Sequence, residues 1–281
     1  MLTDEKRKLE LMAATIRKTA LETIHTAGSG HIGGSFSMAD IMAVLYFKAM
    51  NVDPKNPDKP DRDRLVVSKG HCSPVTYATL ALKGFFPLEH LKTFRKIDSD
   101  LSGHVEIHVP GVDMSGGSLG QGLSVALGMA MYAKANHINN YVHAIMGDGE
   151  IEEGQIWEAA MAAAKWDLDN LCVFLDNNGL QIDGTNDEVM PSAPRDKKFE
   201  SFNWNVLSID GHDFAQIEKA LNAARACKGK PTMIIMKTVK GKDVSFMENN
   251  AGWHGKAPND EQFAVAKAEL EAIINTLKEE E

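Results

Sequence analysis

The sequence predicts an α/β fold: a parallel sheet flanked by helices on both faces. Three observations predict it. Short apolar runs alternate with segments of helical period along the whole chain. Two successive runs, at 142–146 and 171–175, are joined by an Ala-rich segment of helix length, and a strand–helix–strand crossover makes its strands parallel. Both runs end in oxygen-bearing turns, Gly147-Asp148-Gly149 and Asp176-Asn177-Asn178. In such a sheet the carboxyl ends share one edge, where open α/β folds bind ligands. Asp148 and Asn178 would then face a small hard cation, and Mg²⁺ suits such a site when phosphate fills its other positions.

The elements follow in order. Residues 4–25 place Leu9, Met12, Ala13, Ile16, Ala20 and Ile24 at helical spacing. A Gly-rich loop, AGSGHIGGS, gathers amides, hydroxyls and His31. Ser37, with Asp40 three residues on, reads as an N-cap opening a helix through Met50. Residues 51–63 hold three prolines and form a surface loop. The run 65–68 is a buried strand that ends in Lys69-Gly70-His71-Cys72-Ser73-Pro74, with Pro74 suited to a helix start. That helix stops near Gly84, and a short one covers 88–95. Residues 98–118 form a long irregular stretch, of a length that is usually functional. It leads through GGSLGQG into a helix of small residues, 123–136. After the central strand–helix–strand unit, 183–203 is again irregular. A strand follows at 205–210, then a helix opened by Gly211-His212-Asp213, a buried strand at 231–239, a loop at 240–258 and an amphipathic helix at 259–279. Neither a repeat nor a low-complexity linker interrupts this, so one domain spanning 1–281 is expected.

Composition narrows the function classes. A net charge of −9 argues against nucleic acid, whose phosphates demand concentrated Lys and Arg. An anionic ligand would need local devices instead: Gly-rich turns, helix N-termini, a metal and histidines. The longest uncharged apolar run, 123–133, is far short of the ~20 residues that span a bilayer. Three scattered cysteines, Cys72, Cys172 and Cys227, fit a reducing compartment, so a cytoplasmic protein with no membrane partner is expected.

Four histidines follow glycine (His31, His71, His104, His212) and His254 precedes one. A lone loop histidine is ordinarily just exposed. Four in Gly-rich loops (His31, His71, His104, His254) fit contacts to phosphate or proton transfer near neutral pH. His212 reads as part of a capped strand-to-helix turn. Glu152, Glu153 and Glu158 favour a helix N-terminus, yet three acids beside a phosphate are costly unless one has another task. A Cys72–His71 nucleophile lacks anything to lower the thiol pKa.

GDGEIEEG…LDNN resembles the thiamin diphosphate signature, and its surroundings are similar to the transketolase family in particular. The matching segments SGHIGGS, DRLVVSKGH, SGHVEIHVPGVDMSGGSLGQG, GDGEIEEGQIWEA, LDNNGLQIDG, DGHD and GWHGKAP run in the family's order from about residue 20 to 260. The resemblance implies a thiamin diphosphate-binding fold with Asp148, Asn178 and the Leu180 carbonyl on Mg²⁺ (or Ca²⁺ or Mn²⁺). It implies His71, Gly149 and His254 as diphosphate and thiazolium-side contacts, and Gly117 and Leu119 as holding the cofactor's bent form. His31, His104 and His254 would contact substrate and move protons. Glu153 and Glu158 would belong to an acidic network at a subunit seam near the cofactor.

The chain departs from the family in length: a full transketolase is more than twice as long, and the parts that activate the pyrimidine and bind substrate phosphate are absent. The resemblance therefore implies the N-terminal subunit of a split transketolase, completed by a C-terminal, pyrimidine-binding chain in an α2β2 heterotetramer. It would transfer a two-carbon ketol unit between sugar phosphates. Ile32 stands where the family more often has proline, and SGHVEIHVPG also diverges. Two rival readings are the alpha-type chain of an enzyme for 2-oxoacids and a non-catalytic cofactor-binding protein.

Overall fold

The computed structural model describes residues 3–279. Five strands, β1 (Arg64–Val67), β2 (Val142–Gly147), β3 (Leu171–Asn177), β4 (Asn205–Asp210) and β5 (Thr232–Lys237), form one sheet in the order β1-β2-β3-β5-β4. Every pairing is parallel. The inner strands β2, β3 and β5 are buried along nearly their whole length, as a sheet covered on both faces requires. Edge strand β4 is half-exposed.

On one face pack α1 (Thr3–Ala27), α3 (Ala39–Val44), α4 (Ser73–Lys83) and α9 (Phe214–Ala226), around Ile145, Phe174 and Ile234. On the other pack α5 (Gln121–Ala135), α6 (Gly154–Lys165) and α8 (Arg195–Ser201), around Val66, Ala144 and Val173. Ala126, Ala130 and Ala133 bury one stripe of α5, and Ala159, Ala160 and Ala163 one of α6, so small side chains bring both helices close to the sheet. The last helix, α10 (Asp260–Glu279), lies on α1, with Ala266 and Leu270 against Ala20, Leu21 and Ile24. Among the described residues no helix is long and apolar enough to cross a membrane.

Three expectations change. The helix expected from Ser37 to Met50 is broken into α2 (Gly33–Ser37), α3 and a π-helical turn, Leu45–Ala49. Ser37 caps nothing: its hydroxyl donates to the buried Asp176, 2.6 Å away, a partner the local sequence does not reveal. The short helix at 88–95 is a 3-10 turn, Leu88–Thr93. The irregular stretch at 183–203 holds two short helices, α7 (Asn186–Val189), closed by a Thr185–Glu188 capping box, and α8. Pro74 and Asp213 stand at helix starts as expected.

Candidate active site

The carboxyl ends of the strands open into a cavity of about 430 Å³. β1 delivers His71, on the 3-10 turn Gly70–Cys72. Two Gly-rich loops meet there back to back: a Cβ on Gly70 would lie 2.7 Å from the Gly116 Cα, so only glycine allows the approach. Val105 N donates to Gly70 O (3.1 Å) and Gly116 N to Val105 O (2.8 Å), which locks the long 98–118 stretch against β1. That lock sets Gly117 and Leu119 on the cavity wall beside His71 and His104.

β2 and β3 end level with one another, Gly147 opposite Asp176. Asp148 is buried and accepts from Gly179 N (2.6 Å) and Asn186 Nδ2 (2.8 Å). Gly179 reaches it through a positive φ of 79°, which glycine adopts freely. Asn178 Oδ1 takes Leu180 N at 3.1 Å, and Leu180 O takes Lys240 Nζ at 2.9 Å. Asp148, Asn178 and Leu180 line the same cavity, so a carboxylate, an amide oxygen and a backbone carbonyl share one sheet edge. Among the described residues no three His, Cys, Asp or Glu side chains converge as a metal cage. This donor set of hard oxygens fits Mg²⁺ or Ca²⁺ completed by phosphate oxygens.

Four of the five glycine-flanked histidines form one cluster. Ring centroids are 5.1 Å apart for His31 and His71, 6.0 Å for His31 and His104, 5.5 Å for His31 and His254, and 5.2 Å for His71 and His254. Burial, reinforced by nearby cations, holds all four below the usual histidine range: His31 at about 4, His254 at about 3, His71 well below, and His104 lowered. Lys240 donates to His254 Nδ1 at 2.9 Å, so the His254 proton sits on Nε2. Among the described residues His31 Nδ1 is buried without a partner, an acceptor or donor left for a ligand. His212 stands outside this cavity.

Glu153 lines the cavity, whereas Glu158, farther along α6, is exposed and away from it. Gly149 also lines it. Cys72 is buried and burial pushes its thiol up to about 11, which argues against a thiolate nucleophile.

Four residues carry more of the site than sequence reasoning assigned them. Lys69 and Lys240 are both buried and both line the cavity. Each follows an apolar run and precedes a glycine (VSKG, TVKG), a repeated signal that places two cations on one sheet edge. Asp176 is fully buried and accepts from Ser37, Thr238, Lys69 and Asn178. Glu150, also buried, takes Gly120 N (2.9 Å), Gly147 N (3.0 Å) and the Ser68 hydroxyl, tying three cavity loops together. Burial raises its carboxyl pKa. A glutamate directly after Gly-Asp-Gly was its only sequence sign.

Residues 8–273 match the family described as transketolase, thiamine diphosphate binding domain. The chain is 46% identical over 271 residues to a 6-deoxy-6-sulfo-D-fructose transketolase subunit of Clostridium sp. (strain MSTE9), covering 96% of this chain and 98% of that one. It is 42% identical to an apulose-4-phosphate transketolase subunit of Phocaeicola vulgatus, covering 97% of each. Among solved structures, the transketolase of Campylobacter jejuni superposes with a TM-score of 0.88 at 34% identity, over 96% of this chain and 45% of that one. The chain therefore spans nearly all of the named subunits and less than half of the solved enzyme. Parallel sheet, cavity and relatives agree: this chain belongs to the transketolase family, as its N-terminal, thiamin diphosphate-binding part.

Proposed function

We propose that this chain is the N-terminal subunit of a two-chain transketolase. It transfers a two-carbon ketol unit from a ketose phosphate, or a comparably acidic ketose, to an aldose once a pyrimidine-binding chain completes the site. The observation that carries this reading is the convergence of four histidines, two buried lysines and a set of oxygen donors in a single cavity. The named relatives act on a sulfo-sugar and a sugar phosphate, which favours an acidic sugar over a 2-oxoacid.

In this reading 1–281 is one diphosphate- and metal-binding domain. Asp148, Asn178 and the Leu180 carbonyl hold the divalent ion. His71, Gly149 and His254 contact the diphosphate and thiazolium side, and Lys240 supplies positive charge toward the diphosphate, Lys69 being paired with Asp176. Gly117 and Leu119 support the cofactor's bent form, and a Cβ on Gly117 would meet nothing within 4 Å, which leaves room for it. Bound there, thiamin diphosphate would supply an electron sink for cleaving a bond beside a carbonyl. The chain's own task is orientation and proton traffic. His31 and His104 are neutral near pH 7, so a free ring nitrogen can accept a proton from a substrate hydroxyl, whereas His254, whose Nδ1 accepts from Lys240, offers its Nε2–H as a hydrogen bond.

Glu153 and Glu158 belong to the seam with the completing chain. The exposed apolar side chains Leu119, Val125, Met161 and Trp166, on α5, on α6 and at their ends, suit burial under such a partner. An α2β2 assembly satisfies this seam. The free thiols Cys72, Cys172 and Cys227 fit a reducing cytoplasm.

The test is reconstitution. The purified chain alone should show no ketol transfer, and activity should appear when the pyrimidine-binding chain is added; full turnover by the lone chain would overturn the split-site reading. Asp148→Ala should abolish metal-dependent cofactor retention by calorimetry in the assembled enzyme, and unchanged binding would overturn the metal assignment.

A further inference from the structure

His212 is the glycine-flanked histidine that the cavity does not use, yet both of its ring nitrogens are committed. It lies in the turn between β4 and α9. Nε2 accepts from the Val239 backbone N–H at 2.9 Å, so it carries no proton. The ring proton therefore sits on Nδ1, 2.6 Å from Asp40 Oδ2. Asp40 is buried on α3 and is gripped by the buried Arg17 of α1, with Nη1 to Oδ1 at 3.0 Å and a second bond to Oδ2. Arg17 also donates to Phe36 O (3.1 Å) and pairs with Asp243 (3.0 Å). Phe36 follows the loop of His31, and Asp243 follows Lys240.

Val239 is the residue before Lys240, and Lys240 holds both Leu180 O and His254 Nδ1. The chain of contacts runs without a break from α1 through Asp40 and His212 to the backbone that aims Lys240. Gly241 N adds a bond to Gly33 O at 3.0 Å, joining the Lys240 segment to the His31 loop directly.

We propose that His212 is a positioning residue: its neutral imidazole fixes the Val239 amide, and through it the Lys240 ammonium and the His254 tautomer. This rests on the cofactor reading above only for its functional consequence, since the contacts stand without it. A neutral imidazole bridges an acceptor on one side and a donor on the other. Glutamine offers the same pair, an N–H for Asp40 and an oxygen for Val239, whereas phenylalanine offers neither.

Three measurements on the full chain and the assembled enzyme test this. In the unmodified chain, nitrogen-15 spectra should show His212 protonated on Nδ1 alone; a proton on Nε2 would overturn the proposal whatever the variants do. In His212→Phe, hydrogen exchange of segment 238–241 should accelerate at least tenfold. Its Kd for thiamin diphosphate with Mg²⁺, read by tryptophan fluorescence, should rise about tenfold, while His212→Gln should recover most of both. A lowered melting temperature with unchanged cofactor Kd, or faster exchange without a change in Kd, would reduce His212 to a structural prop and overturn the positioning role. Absence of any cofactor binding by the unmodified assembly would instead overturn the functional reading and leave the exchange result to judge the contact.

Discussion

Asp176→Asn is the sharpest single perturbation of this site. The carboxylate is fully buried, and its partners are the Lys69 ammonium, the Ser37 and Thr238 hydroxyls and the Asn178 amide. Burial pushes the Asp176 carboxyl up, but Lys69 and the hydroxyl donors outweigh it and hold the group below its ordinary value. Lys69 is raised in turn, because the Asp176 charge outweighs its own burial. Replacing the carboxylate with an amide leaves a buried ammonium with neutral acceptors alone, the amide oxygen and Gly34 O, 3.2 Å away. Breaking one side of a buried pair costs about 3–5 kcal/mol. With a urea slope of about 3 kcal/mol/M, the unfolding midpoint should fall by about 1–1.7 M. Lys69→Met should cost a comparable amount, but the double variant should cost at least about 2 kcal/mol less than the sum, because both charges leave together. The sign with pH follows from the lowered carboxyl. The contribution of Asp176 is complete above its unfolded pKa near ~4 and is lost as pH falls through the lower folded value. The Asp176→Asn deficit should therefore be full at pH 7 and shrink only below about pH 4. Additive costs, or a deficit under about 1 kcal/mol, would refute the claim that this pair is the buried electrostatic hub.

Three other predictions follow from named contacts. His143 is buried in β2, neither ring nitrogen is bonded among the described residues, and burial holds it at about 3. The unfolded chain binds a proton near pH 6.5 that the folded chain refuses, so His143 costs stability as pH falls below 6.5. His143→Leu should gain about 2 kcal/mol more at pH 5 than at pH 7.5 in urea melts, and equal gains would contradict this. Gly122→Ala sets a Cβ 2.3 Å from Ser68 Oγ and should cost about 1–3 kcal/mol. Gly128→Ala, exposed on the same helix with nothing within 4 Å, should gain about 0.5–1 kcal/mol, so thermal melts must move in opposite directions. Gly117→Ala should leave the melting temperature unchanged and weaken thiamin diphosphate binding at least tenfold by calorimetry; unchanged affinity would remove Gly117 from the cofactor wall.

The sheet and the site were legible to different depths. Inner strands such as 171–175 read clearly because a parallel strand buried on both faces is a continuous apolar run. The meeting of Asp148 with the 178–180 turn also followed from the crossover rule alone. What could not be read were partners made by tertiary contact. Ser37 looked like a cap because its local pattern was a cap's, and only the sheet edge supplied Asp176. Glu150 was hidden among four nearby acids, since nothing local distinguishes the one that folds inward to collect Gly120 and Gly147 amides. Lys69 and Lys240 carried a sequence sign, Lys-Gly after a strand, but its meaning depends on both strands ending at one edge.

The packing of α10 on α1 has a consequence for biosynthesis. His31 follows α1 and His254 precedes α10, yet their rings stand 5.5 Å apart. Lys18 pairs with Glu271 and Lys267 with Glu22 across the same two helices. A ribosome-bound chain therefore lacks one wall of the cavity until His254 and the helix behind it emerge, and long-range closures of this kind are slow. The cavity is therefore closed by the last quarter of the chain to be made, His254 and the 240–258 loop that carries it.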